Sequence, residues 1–133
     1  MIISPVLLTG GAGFIGSHLL ERLLSAGHEV VVLDNFSSGD ASYLEKLKTR
    51  GKVRVVAGDI RDKAVVRDSA RGCGLIIHLA ANPEVRMGDP EAHLEHNVRG
   101  TLNVLETARE LDIGFVAFAS SSTVYGEASV LPT

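Results

Sequence analysis

The stretch TGGAGFIGSHL, residues 9–19, decides how the rest of the chain is read. Gly10, Gly13 and Gly16 stand three apart, directly after the apolar run PVLLT (residues 5–9) and directly before apolar residues at helical spacing. In a strand-turn-helix setting such a trio has a physical use. One glycine permits a tight turn, one lets backbone approach an anionic group, and one lets the helix lie close on the strand. The start of the helix then offers unpaired N–H groups and a positive dipole end. The turn reads as a cradle for the pyrophosphate of a dinucleotide.

Working outward, five runs rich in Val, Ile and Leu recur, at residues 5–9, 29–34, 53–59, 74–80 and 114–120. Each is expected to be a strand buried on both faces. Helical patterns fill the gaps. Phe14, Ile15, Leu19, Leu20, Leu23 and Leu24 form one apolar stripe, with Gly27 as its C-cap. Residues 42–50 and 62–71 are shorter candidates. Residues 90–111 form the longest, with Leu94, Val98, Leu102, Leu105, Ala108 and Leu111 on one face. Alternating strands and helices imply an α/β fold with a doubly wound parallel sheet, the Rossmann arrangement. The last segment, GEASVLPT (residues 126–133), stops where no domain naturally ends. Residues 1–133 are thus expected to form a partial dinucleotide-binding domain, truncated after the fifth strand, with any substrate domain outside this chain.

Composition narrows the function classes. Of the 133 residues 45% are hydrophobic and 22% charged, the profile of a packed globular chain. Thirteen Lys and Arg against sixteen Asp and Glu give a net charge of −3, which lacks the footprint of a protein for nucleic acid or an anionic membrane. Cys73 is the single cysteine and has no partner for a disulfide or a metal pair. No apolar run approaches the ~20 residues that cross a bilayer. The expectation is a cytoplasmic protein whose partners are small molecules, with no membrane and no metal.

The second run ends on Asp34, 18 residues after Gly16 and near the offset at which a carboxylate accepts hydrogen bonds from an adenosine ribose. A 2′-phosphate would meet like charge there, and Asn35, Phe36, Ser37, Ser38 and Gly39 supply no Arg to offset it. NAD is therefore favoured over NADP. The third run ends in Gly58, Asp59 and Ile60, the fourth in His78, Leu79, Ala80 and Ala81. Ligands of doubly wound sheets lie beyond the carboxyl ends of strands, so these ends belong to one crevice. Asp59 is a candidate acceptor for the adenine amino group, and the small Ala80 and Ala81 leave room for a cofactor.

Taken in order, TGGAGFIGSHL, DNFSSG, GDIRD, HLAA, NVRGT (residues 97–101) and SSSTVYG (residues 120–126) resemble the extended short-chain dehydrogenases that act on nucleotide sugars, the NAD-dependent epimerases and dehydratases. The resemblance runs through the whole chain. It implies that Phe14 and Ile15 lie beneath the pyrophosphate, that Asp34 and Asn35 contact the adenosine ribose, and that Asp59 and Ile60 contact adenine. It also implies that Leu79, Ala80 and Ala81 wall the cofactor and that Asn97 reaches it from a helix. Ser121 matches the catalytic serine of S-x-x-V-Y-G, with Ser120 and Ser122 as alternative hydroxyls. The implied activity is epimerisation of a nucleotide sugar, a UDP-hexose, by transient oxidation and re-reduction at C4, in an enzyme that often pairs as a homodimer.

Two departures bear on that activity. The dehydratases of the family resemble T-D-E-V-Y-G at this place, with an Asp and a Glu as acid and base, whereas Ser122 and Thr123 stand here and cannot do carboxylate chemistry. Epimerisation is favoured over dehydration. The family's Y-x-x-x-K pair, in which the Lys charge lowers the phenol pKa, is absent. Four residues beyond Tyr43 and Tyr125 stand Leu47 and Ser129. The chain alone is expected to be inactive. A reductase or decarboxylase on another nucleotide sugar, or a catalytically silent NAD-binding module, remain alternatives. Pro83 stands where bacterial-type epimerases often carry Lys, Arg86 is a loop candidate for a diphosphate, and His93 and His96 lie one helical turn apart without a third metal ligand.

Overall fold

A computed structural model of the chain describes residues 5–84 and 89–126. Five short strands carry the fold: β1 (Val6–Thr9), β2 (Val30–Asp34), β3 (Val53–Ala57), β4 (Leu75–His78) and β5 (Phe115–Phe118). All pair in parallel, in the order β3-β2-β1-β4-β5. The chain runs outward from β1 to β3, then returns to lay β4 on the other side of β1. The sheet therefore reverses direction between β1 and β4, where a doubly wound sheet opens a crevice at its carboxyl edge. Thr9 and His78, the last residues of those two strands, are register partners.

Alternation along the central strands builds two cores. Leu7, Val31, Leu33 and Ile76 point to one face, where Val66, Ala70, Val104 and Ala108 meet them from α3 (Lys63–Ala70) and α5 (Gly100–Glu110). Leu8, Val30 and Val32 point to the other, against Leu20 and Leu24 of α1 (Phe14–Ser25) and Leu44 and Leu47 of α2 (Ala41–Leu47). This period of two gives each helix layer its own apolar floor. Asp40 and Asp62 cap α2 and α3 by accepting from backbone N–H groups of the first turn. At the end of α1, Gly27 sits at φ +84° while its N–H donates to Leu24 and that of His28 to Leu23. Gly27 is thus the left-handed residue just past the cap Ala26, in a Schellman turn.

Three expectations about burial are corrected. β1 and β2 are fully buried, but β3 and β5 are the outer strands of this sheet and expose several side chains, Phe115 and Phe118 among them. The α1 stripe does not run through Phe14 and Ile15, which are 84% and 68% exposed because Gly16 and Ser17 take the inner side of that first turn. The long helix also turns a different face inward. It comprises α4 (Pro90–His93), a π-helical segment (Leu94–Arg99) and α5. Its packed residues are Gly100, Asn103, Val104, Thr107 and Ala108, while Leu94, Val98, Leu102 and Leu105 are about half exposed. Small residues win the inner face because α5 lies close on the loop after β3. A Cβ on Gly100 would fall 2.5 Å from Cδ1 of Ile60. The Asn103 amide donates at 2.9 Å to the carbonyls of both Ile60 and Arg61. Lys63 joins Glu106 and Glu110 across the same seam.

Candidate cofactor and active site

The glycine trio divides its work in a way that geometry makes visible. Gly10 has φ +71°, and a Cβ there would lie 2.7 Å from the backbone nitrogen of Ala80. A Cβ on Gly16 would lie 2.1 Å from the Gly10 carbonyl oxygen. Those two glycines let β1, β4 and α1 meet backbone to backbone. Gly13 differs. Its φ of −73° and ψ of 173° suit any residue, and a Cβ would meet only the Gly10 oxygen at 3.4 Å. Nothing in the protein demands glycine at position 13. It caps α1 without any side-chain hydrogen bond, so the first-turn N–H groups of α1 are left for a ligand. An anion set against a helix start needs the space that a Cβ would fill.

A cavity of about 410 Å³ opens beside Gly10 and Gly13. Asp34, Asn35, Ser37, Ser38 and Gly39 line its β2 side, Ile60 its β3 side, and Leu79, Ala80 and Ala81 its β4 side. Sequence reasoning named all of these. Gly58, at the end of the third run, and Pro83, after the fourth, line it as well, and so do Leu33, Asn82, Glu84 and His96, for which the sequence carries no cofactor signal. In the sequence His96 offers only an incomplete metal pair with His93. The π-helical segment turns it to the cavity, where its Nδ1 lies 2.8 Å from the Ala92 carbonyl, an acceptor that fixes Nδ1 as the protonated nitrogen. Among the described residues no group of three or more His, Cys, Asp or Glu gathers to hold a metal.

The two carboxylates are held differently. Asp34 is buried, and its Oδ2 accepts from Ala12 N–H at 2.9 Å while Oδ1 accepts from Phe36 N–H at 2.8 Å. It anchors the glycine turn to β2, and each oxygen retains a lone pair toward the cavity. Gly39 completes that joint, since a Cβ there would press to 2.5 Å from the Ala12 Cβ. Asp59 accepts four hydrogen bonds at 2.9 Å, three from Arg61 and one from the Asn35 amide. The hydrogen-bonded Arg61 side chain holds its carboxyl well below the usual carboxylate range. Asp59 is not among the residues that line the cavity.

Gly16, Phe14, Ile15, Asn97 and Ser121 likewise stand outside the lining. Asn97 braces it instead. Its Oδ1 accepts from Asn82 N–H at 2.7 Å and its Nδ2 donates to the Asn82 carbonyl at 3.1 Å. Ser121 is exposed beyond β5, and its carbonyl accepts from Val124 N–H where the chain turns into a short 3-10 helix (Ser122–Tyr125). Arg86 and Ser129 lie outside the described residues.

Beneath the β4 wall lies a buried histidine. His78 is 1% exposed and touches Thr9 Oγ1 through Nδ1 at 2.6 Å and Thr101 Oγ1 through Nε2 at 3.0 Å. Burial alone pushes its pKa down to about 4.

These features define a doubly wound α/β domain built to bind a dinucleotide at the carboxyl ends of β1, β2 and β4. The particular family follows from comparison with known proteins. The profile of the NAD dependent epimerase/dehydratase family matches residues 6–133, and the chain belongs to that family. It is 35% identical over 136 residues to UDP-glucose 4-epimerase of Neisseria meningitidis serogroup B, covering 98% of this chain and 40% of that protein. Among solved structures it resembles the UDP-Glc/GlcNAc 4-epimerase of Campylobacter jejuni, with a TM-score of 0.89 and 34% identity over 96% of this chain and 40% of that one. It also resembles UDP-glucose-4-epimerase from Stenotrophomonas maltophila with bound NAD and formylated UDP-arabinopyranose, with a TM-score of 0.88 and 31% identity over 98% of this chain and 40% of that one. NAD is the cofactor of the family, and the Gly13 cradle and the residual Asp34 lone pairs fit it.

Two outcomes follow. Gly13→Ala keeps the melting temperature of the unmodified chain but weakens NAD binding at least about tenfold, a cost of roughly 1.4 kcal/mol, read by calorimetry. Gly16→Ala, by contrast, loses the folded state. The second concerns pH. An unfolded His78 takes up its proton near 6.5, and the folded one resists until about 4. The unfolded state holds more protons between those values, so the contribution of His78 is complete above pH 6.5 and is lost as pH falls toward 4. It amounts to about 3 kcal/mol at most. Urea midpoints measured from pH 7 to 4.5 should fall, and His78→Gln should flatten the slope.

Proposed function

We propose that this chain is the cofactor-binding part of an NAD-dependent UDP-glucose 4-epimerase that interconverts UDP-glucose and UDP-galactose, with the sugar-nucleotide domain and the Y-x-x-x-K pair on further polypeptide. The observation that carries the reading is the pair Ser122 and Thr123 in S-x-x-V-Y-G, which puts hydroxyls where elimination of water would need carboxylates. The similar proteins, of which this chain spans about two fifths, are 4-epimerases. A reducing, cytoplasmic setting suits the buried free thiol of Cys73, and no helix among the described residues is long and apolar enough to cross a membrane.

In the proposed enzyme Gly10, Gly13 and the α1 start receive the pyrophosphate, with Phe14, Ile15 and Gly16 shaping that turn. Asp34 and Asn35 orient the adenosine ribose, while Ser37, Ser38 and Gly39 border it. Ile60 and His96 frame the adenine position, with Asp59 holding the Asn35 and Arg61 side chains in place beside them, and Leu79, Ala80, Ala81 and Asn97 keep the wall beside the nicotinamide half. Bound NAD supplies a nicotinamide that accepts and returns a hydride, with no net redox change. Ser121 donates to or accepts from the sugar oxygen at C4 and aligns it for proton transfer. The exposed stripe Leu94, Val98, Leu102 and Leu105 pairs with the same stripe of a second copy.

Polypeptide extended through the downstream tyrosine and lysine is expected to convert UDP-galactose to UDP-glucose, and Ser121→Ala to lower kcat by about 10² to 10⁴. The 133-residue chain alone turns over neither sugar. Turnover of another nucleotide sugar in place of these two would reassign the substrate. For the paired stripe, sedimentation should show a dimer that Leu102→Lys with Leu105→Lys converts to monomer. A monomer-sized boundary for the unmodified protein overturns it.

A further inference from the structure

The hydrogen bonds around His78 run in one direction only. Thr101 Oγ1 lies 2.7 Å from the Asn97 carbonyl, which can only accept, so the Thr101 hydroxyl proton points there. Thr101 Oγ1 must then accept from His78, which puts a proton on Nε2. With burial keeping the ring neutral, Nδ1 is bare and accepts the hydroxyl proton of Thr9. Thr9 Oγ1 in turn accepts from the N–H groups of Leu79 and Ala80, both at 3.2 Å, the Leu79 N–H being shared with the Thr9 carbonyl at the same distance. Each hydroxyl proton is used once, and both imidazole nitrogens have a partner.

The two ends of this chain of bonds are the two anchors of one wall. Thr9 holds the amides of Leu79 and Ala80, and Asn97 holds both the amide and the carbonyl of Asn82. Leu79, Ala80 and Asn82 all line the cavity. His78, through Thr101 on α5, joins the anchors, Thr9 at the end of β1 and Asn97 in the π-helical segment. The imidazole also stacks on Phe118, with centroids 5.7 Å apart, and its backbone carbonyl accepts from Ala119 N–H as the chain approaches Ser121.

We propose that His78 is a positioning residue for the NAD site, its neutral Nε2–H tautomer locking the wall from Leu79 to Asn82 at the height the cofactor requires. A ring serving only as core filler would be replaceable by an apolar residue of similar size. A directional link would not. Protonation would aim an Nδ1–H at Thr9 Oγ1, whose lone pairs are already taken by two amides, and would break the link at its first member.

The experiment compares Thr101→Val, His78→Leu and His78→Gln with Val66→Ala, a core change on α3 away from the cavity. Thr101→Val removes one hydroxyl with almost no change of shape, so it tests the link even where His78→Leu fails to fold. Amide hydrogen exchange at Leu79, Ala80 and Asn82 is expected to accelerate about tenfold relative to the central strands in Thr101→Val and His78→Leu, and the Kd for NAD to rise about tenfold. Gln, whose amide nitrogen reaches toward Thr101 as Nε2 does, should restore part of both. Val66→Ala should lower the melting temperature with neither effect. Long-range proton–nitrogen spectra should show His78 protonated at Nε2 alone. Unchanged local exchange and NAD affinity in Thr101→Val, or a ring protonated at Nδ1, overturns the proposal.

Discussion

Backbone crowding at Gly10 is the constraint on which the rest depends. β1, β4 and the start of α1 converge there so closely that a single Cβ on Gly10 would enter the backbone of Leu79 and Ala80, and one on Gly16 would strike the Gly10 carbonyl. Because the convergence fixes where α1 begins, it also fixes where the helix start points. That start lies at the carboxyl end of β1, beside the place between β1 and β4 where strand order reverses. The position of the anion cradle is therefore a consequence of sheet topology and of two absent side chains. Gly13 stands apart because neither its backbone conformation nor its neighbours require the side chain to be missing.

Polar groups around the cavity are fixed before any ligand arrives. Asp34 is pinned by two backbone donors, the Leu79 and Ala80 amides by Thr9, and Asn82 by both ends of the Asn97 amide. Each anchoring bond lies within the protein, and what faces the cavity is leftover capacity such as the second lone pairs of Asp34. The ordering of these groups is completed on folding, so binding does not have to supply it. Exposed ion pairs such as Arg71 with Asp68 add little to this arrangement, being solvated and screened.

The fold was legible where residue type and period agree. The β1 turn, its glycines, the doubly wound parallel sheet and most of the cavity lining follow from short apolar runs separated by helical spacing. Burial was less legible, for reasons that can be named. Val53 and Phe115 look as apolar as Val31, yet they belong to outer strands, and sequence period does not say which strand has two neighbours. In the long helix the larger side chains suggested the inner face, whereas close packing on Ile60 demanded Gly100 and the polar Asn103. The π-helical segment also shifts the facing of the residues within it, so that His96 lines the cavity and Asn97 braces Asn82. From its place after β3, Asp59 is expected to accept from the adenine amino group, yet it stands outside the cavity lining. That Arg61 and Asn35 occupy all four of its acceptor positions depends on side-chain directions that spacing does not encode.

The least legible part is the set of bonds through His78, and the cause is physical. Thr9, His78 and Thr101 are separated by dozens of residues and meet because parallel register sets Thr9 opposite His78 while α5 crosses the same edge. In sequence His78 is one polar letter at the end of an apolar run. In the fold it sits at 1% exposure among aligned partners, where an unpaired imidazole nitrogen would cost as much as a lost hydrogen bond. Natural cores admit such a group when every donor and acceptor is satisfied, and a satisfied group then specifies one arrangement of the elements it joins. An apolar residue at position 78 would fill the same volume but would allow β4 to slide or tilt against α5. The wall that β4 extends into the crevice would follow that movement, so the polar choice at position 78 belongs to the site as much as to the core.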